Sequence, residues 1–189
     1  MMDAATGPRP SPGKEYFLIP HPDTPPRSVQ HVNVSMHRSG RSMHITFAIE
    51  GATERLALPQ PAKPYRTDEL WRTTCLEFFV ATGPESYLEF NFSPSSQWAE
   101  YRFDNYRAGM QALPVDEPPV ILVSDEGDCL IVPVIIEWPN MAVGAVGLTA
   151  VIEETDGTKS YWALAHAPGA PDFHNRDCWI ATLPVAGRP

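Results

Sequence analysis

Polar and apolar residues alternate along much of this chain. Between Met43 and Glu50, Met43, Ile45, Phe47 and Ile49 fall on one side, while His44, Thr46 and Ala48 fall on the other. A period of two marks a half-buried strand. Val32–His37 precedes it across the turn residues Arg38, Ser39 and Gly40, so the two runs read as a hairpin. Similar runs follow at Thr74–Val80, Tyr87–Ser93, Trp98–Phe103, Val120–Ser124, Cys129–Ile136, Ala145–Glu153, Lys159–Ala165 and Cys178–Leu183. Asp156-Gly157 supplies positive φ at low cost and marks a second hairpin, and Asp125–Asp128 is a third turn sequence. About ten strands and no amphipathic helix predict an all-β fold, a two-sheet antiparallel β-sandwich of jelly-roll or immunoglobulin-like kind. The 21 prolines fit, since they must lie between elements. Residues 1–14 are Pro/Gly-rich and read as a disordered tail, leaving 15–185 as one ligand-binding domain.

Parity suggests a site on three consecutive strands. With Leu76, Phe78 and Val80 facing the core, Leu88, Phe90 and Phe92 face it from the next strand, and a five-residue connection at 81–85 pairs Leu76 with Phe90. On the third strand Ala99, Tyr101 and Phe103 form the better core set. The opposite face then carries Glu77, Glu89, Asn91, Trp98 and Arg102, with Glu77 across from Glu89 and Glu89 across from Arg102. Carboxylates opposite each other repel, and the excess calls for a donor such as a metal ion, a basic group or ligand hydroxyls. Carboxylates, an amide, a guanidinium and an indole together suit a sugar. The same face also reads as the solvated side of a sheet, Trp98 as a packing residue, and Trp71 as a core plug.

Charge narrows the partners. Fourteen basic against 23 acidic residues, with no Lys/Arg cluster, argue against nucleic acid and against an anionic membrane surface. No apolar run is long enough to span a bilayer, and the N-terminus lacks a secretory signal pattern, so a cytoplasmic location is the expectation. Cys75, Cys129 and Cys178 are odd in number and widely spaced, unlike a disulfide framework.

The stretch LWRTTCLEFFV from Leu70, then YLEFNFSPSSQWAEYRFDNYRAGM ending at Met110, and DFHNRDCWIATL from Asp172 to Leu183, resemble bacterial DOMON-like domains related to family 9 carbohydrate-binding modules. The likeness runs from about Tyr16 to Leu183. It implies a jelly-roll-like sandwich that holds a sugar end between two aromatic rings, often with structural calcium. Trp71 would be one ring, and the second falls at Phe173 and His174, where Phe-His stands in place of the Trp that the modules commonly carry. The polar roles fall on Glu77, Asn91 and Arg102. The acidic turns 125–128 and 153–156 lack the alternating ligand spacing of a dedicated calcium loop. Some DOMON domains hold haem b between Met and His, and Met110 and His174 are the residues available for that role.

The expectation is a non-catalytic domain that binds a sugar or oligosaccharide through Trp71, Glu77, Glu89, Asn91, Trp98, Arg102, Phe173 and His174. The alternatives are a haem protein and a carbohydrate-active enzyme using Glu77 and Glu89, whose separation of about 5 Å on paired strands approaches retaining geometry. No G-x-S-x-G, P-loop or H-E-x-x-H motif is present, and His174 and Asp177 lack a third metal ligand. Nothing in the sequence sets the oligomeric state.

Overall fold

A computed structural model describes residues 13–115, 117–137 and 144–184 of the chain. Residues 1–12 of the expected tail, and residue 185 at the end of the expected domain, lie outside the described residues. Thirteen strands are present among the described residues: β1 (Lys14–Pro20), β2 (Val29–Ser39), β3 (Ser42–Gly51), β4 (Cys75–Ala81), β5 (Tyr87–Phe92), β6 (Trp98–Phe103), β7 (Gln111–Ala112), β8 (Val120–Ile121), β9 (Ser124–Asp125), β10 (Cys129–Glu137), β11 (Ala145–Glu153), β12 (Lys159–Ala163) and β13 (Ala181–Thr182). The helical elements among them are single 3-10 turns at Thr53–Arg55, Leu70–Arg72 and Arg176–Cys178, so no helix is long and apolar enough to cross a membrane.

Two antiparallel sheets form a sandwich. One runs β1-β2-β3-β10, with β8 and β9 on the outer edge of β10; the other runs β7-β6-β5-β4-β11-β12, with β13 beside β11. Strand β1 belongs to both. Its residues Lys14–Leu18 pair with β2, and Ile19 and Pro20 then pair with Ala163 and Trp162 of β12. A strand that changes sheets makes the corner of such sandwiches.

The expected hairpins form. Strands β2 and β3 close at Ser39–Ser42, and β11 and β12 close through a turn in which Gly157 sits at φ +84°. Met43, Ile45, Phe47 and Ile49 point into the interior as their alternation requires, against Leu76, Phe78, Val80, Leu148 and Trp162 of the facing sheet. The last expected strand is shorter than its sequence suggests. Arg176–Cys178 is a 3-10 turn, and pairing with β11 is confined to Ala181 and Thr182.

Strands β4, β5 and β6 are consecutive neighbours as expected, but two registers differ. Leu76 pairs with Phe92 and Phe78 with Phe90, a slip of two residues from the expected pairing, so Glu77 lies opposite Asn91 and not opposite Glu89. A two-residue slip preserves parity, and Glu77, Glu89 and Asn91 still share one face. On β6 parity itself is inverted. Glu89 pairs with Tyr101, and Arg102 pairs with Leu88. Trp98 and Arg102 therefore lie on the opposite face from Glu77 and Glu89: Trp98 is buried in the inter-sheet core, and Arg102 is exposed beside Asp104 at 3.4 Å. Ala99, Tyr101 and Phe103 take the other side, because that side is also apolar. Leu70, Cys75, Phe79, Tyr87, Ala99, Tyr101, Phe103 and Trp179 make a second buried cluster there.

Candidate functional site

That second face of the β4–β6 sheet is partly roofed. The turn at Leu70–Arg72 covers one side, and the segment from Pro171 to Trp179 covers the other. Trp179 stacks on Phe79 at 5.4 Å, and its indole N–H donates to the Phe173 carbonyl at 2.8 Å. Gly147, opposite Phe79 on β11, permits this: a Cβ there would stand 2.5 Å from Trp179 Cδ1. Between the two roofs lies a cavity of about 460 Å³, within the range of small-molecule sites.

Five residues expected from sequence meet in it, Trp71, Glu77, Glu89, Phe173 and His174, together with Met110. Trp71 is 37 % exposed at the wall, edge-on to Tyr101 at 6.1 Å. Its exposure sets it apart from a core plug. Phe173 leans on Tyr161 at 5.9 Å. Asn91 is fully buried behind the wall and acts on the site through Glu89, to which its amide donates at 2.7 Å. Trp98 and Arg102 are not in the cavity, for the parity reason given above.

Glu77 and Glu89 are 3 % and 4 % exposed. Burial pushes Glu77 well above the usual carboxylate range, the charge of Glu89 adds to that, and the Thr149 hydroxyl at 3.3 Å works against it. Burial likewise lifts Glu89 to about 7, opposed by the Asn91 hydrogen bond and by Arg107. At neutral pH the pair therefore retains a proton and presents both a donor and acceptors.

A hydrogen-bonded chain runs from the Arg107 backbone to His174, which stands beside Glu89. The Arg107 backbone N–H donates to the Tyr87 hydroxyl at 3.1 Å, and that hydroxyl lies 2.7 Å from His174 Nδ1. Burial raises Tyr87 to about 12, so its proton stays in place. Burial and the nearby Arg107 charge lower His174 to about 4, so the ring is neutral. The direction of the Tyr87–His174 hydrogen bond follows the imidazole tautomer, and the other ring nitrogen, Nε2, lies 3.7 Å from Glu89 Oε2. That separation exceeds a hydrogen bond.

Arg107 was visible in the sequence only as a loop residue. It sits at φ +50° in a tight turn bridged by Asn105 and Ala108. Its guanidinium grips Asp172 at 2.8 Å, and the Tyr106 hydroxyl donates to the same carboxylate at 2.8 Å. Burial of Asp172 is outweighed by these two hydrogen bonds, and it titrates below its ordinary value. The pair clamps the loop after β6 to the roof that carries His174. Phe103, Val151 and Tyr161 also line the cavity and were not expected to; they arrive from β6, β11 and β12.

A resident metal fits poorly. Among the described residues no three His, Cys, Asp or Glu side chains converge as ligands. The acidic turns are occupied by protein donors: Asp125 takes the Thr53 hydroxyl and the Gly127 N–H, and Asp156 takes Arg27 and the Thr158 N–H. Met110 and His174 line the same cavity, and His174 Nδ1 is already engaged with the Tyr87 hydroxyl at 2.7 Å.

No family model matches the chain, and neither does any curated protein. Solved structures do. A "putative carbohydrate-binding protein" of Bacteroides uniformis ATCC 8492 superposes with a TM-score of 0.68 at 12 % identity, over 90 % of this chain and 85 % of that one. A family 9 carbohydrate-binding module of Caldicellulosiruptor kristjanssonii in complex with cellotriose gives 0.55 at 10 % identity, over 94 % and 84 %. At such identities the likeness establishes a shared β-sandwich fold, the one the sequence resemblance implied.

Proposed function

We propose that this chain is a non-catalytic domain that binds a saccharide in the cavity. The observation that carries the reading is the meeting of an exposed indole, Trp71, with the buried Glu77–Glu89 pair in one cavity roofed by Phe173 and His174. Trp71 covers the apolar C–H face of a sugar ring. The carboxyl pair, holding one proton between two groups, both donates to and accepts from hydroxyls, and Arg107 adds fixed donors. The two structural neighbours, one named for carbohydrate binding and one holding cellotriose, support the same reading. Hydrolysis by the same two carboxyls is the competing reading. It is tested separately by assaying aryl glycosides with Glu77→Gln and Glu89→Gln, where activity unchanged in both would exclude the two as catalysts.

Calorimetric titration with a panel of mono- and disaccharides tests this. At least one sugar is expected to bind, and Trp71→Ala is expected to weaken it about tenfold or more. Silence across the panel, or a Trp71→Ala variant that binds as tightly as the parent, would refute the proposal. A Soret band persisting through gel filtration after haemin addition would favour the haem alternative instead.

A further inference from the structure

The two carboxyls of the cavity are only half satisfied by protein. Glu77 Oε2 accepts from Thr149, and Glu89 Oε1 accepts from Asn91. Among the described residues, Glu77 Oε1 and Glu89 Oε2 have no protein donor within hydrogen-bond distance, His174 Nε2 standing off at 3.7 Å. Neither oxygen is sealed inside the protein, as the partnerless Thr24 Oγ1, Arg66 Nε and Trp98 Nε1 are. Both residues line the cavity, so these oxygens open into it. The register places Glu77 opposite Asn91, and so diagonal to Glu89, a relation of about 7–8 Å between backbones that one small group between the side chains can bridge.

Building on the saccharide reading, we infer that the cavity prefers a sugar bearing a protonated amine, with the ammonium seated between Glu77 and Glu89. A hydroxyl brings one donor, whereas an ammonium brings three and no acceptor, which matches two oxygens that lack donors. The charge balance agrees. Arg107 is the cation at the cavity, and its charge reaches both glutamates, but its ion pair is with Asp172 at 2.8 Å, so neither glutamate has an ion-paired cation of its own among the described residues. The walls add Trp71, Phe103, Tyr161 and Phe173, whose faces attract cations. A sugar carboxylate would instead meet unpaired acidic groups.

Proton linkage follows. Of the groups facing the pair, Cys75, Tyr87 and Tyr101 on the strands are raised, Asp172 and His174 on the roof are lowered, and Arg107 stays charged. Glu89 is then the group of the pair that titrates at about 7, Glu77 being raised mainly by burial, and an arriving ammonium expels a proton that the pair holds.

The test titrates the intact chain at pH 7 with three matched sets: glucose, galactose and mannose, their 2-amino forms, and their N-acetyl forms. The amino form of the preferred sugar is expected to bind about tenfold tighter than its parent, and N-acetylation to remove the gain. Glu77→Gln/Glu89→Gln is expected to bring the ratio of amino to parent affinity close to one. Should that double variant not fold, Glu89→Gln alone is expected to lower the ratio at least threefold. A parent sugar that binds as tightly as its amine, or a ratio unmoved by the variants, overturns the amine preference and leaves saccharide binding standing. Absence of heat in all three sets overturns both.

Discussion

Replacing Glu89 by glutamine should stabilise the protein at alkaline pH and do little at acidic pH. Glu89 is 4 % exposed, and burial lifts it from 4.5 to about 7. A carboxyl whose folded value lies above its unfolded one holds extra protons in the native state between those values, so native stability falls as pH rises through that window. At 1.36 kcal/mol per pKa unit, the loss attributable to Glu89 is about 3 kcal/mol, complete a little above pH 7. Other groups overlap it. His174, lowered from 6.5 to about 4, makes stability rise with pH across 4–6.5 and masks the Glu89 effect in the parent. Glu100, lifted by burial to about 7, adds to it. The comparison of variant with parent removes both. Glu77 does not cancel, because its raised value depends partly on the Glu89 charge, so the measured change belongs to the coupled pair. The amide introduced by Glu89→Gln keeps an oxygen for the Asn91 amide to donate to, so the hydrogen bond now at 2.7 Å survives. Urea unfolding of parent and variant at pH 4.5 and pH 8 reads the effect, the variant gaining about 3 kcal/mol on the parent between the two. A difference that does not change with pH would mean that Glu89 is solvated or ionised in the native state, and the electrostatic account of the cavity would be wrong.

Two further outcomes check the packing behind the site. Gly147→Ala should cost about 1–3 kcal/mol, because its Cβ meets the Trp179 ring, and it should weaken ligand binding through Phe173; an unchanged melting midpoint and unchanged tryptophan fluorescence would contradict that contact. In native protein a thiol reagent should label Cys129, which is partly exposed, well before Cys75, which is fully buried and raised mainly by burial; rapid labelling of Cys75 would show that the floor of the cavity opens.

Alternation alone determined the sandwich, its hairpins and the shared face of Glu77, Glu89 and Asn91, since side-chain parity is local and survives a slip of two residues. The resemblance placed Trp71, Phe173 and His174, and the fold brought them to one cavity. Which sheet face the apolar side of β6 joins was not legible, because its neighbours β4 and β5 are buried on both faces. Parity reads a strand through the contrast between a wet side and a dry one, and WAEYRF offers Trp98 to one apolar cluster and Tyr101 and Phe103 to another. Arg107 and Tyr161 were invisible for a different reason. They join the site from the loop after β6 and from β12, and their role depends on Asp172 holding Arg107, on Phe173 meeting Tyr161 and on β12 lying beside β11. Those meetings are contacts between segments far apart in the chain, fixed by sheet order and roof packing, and no local pattern encodes them.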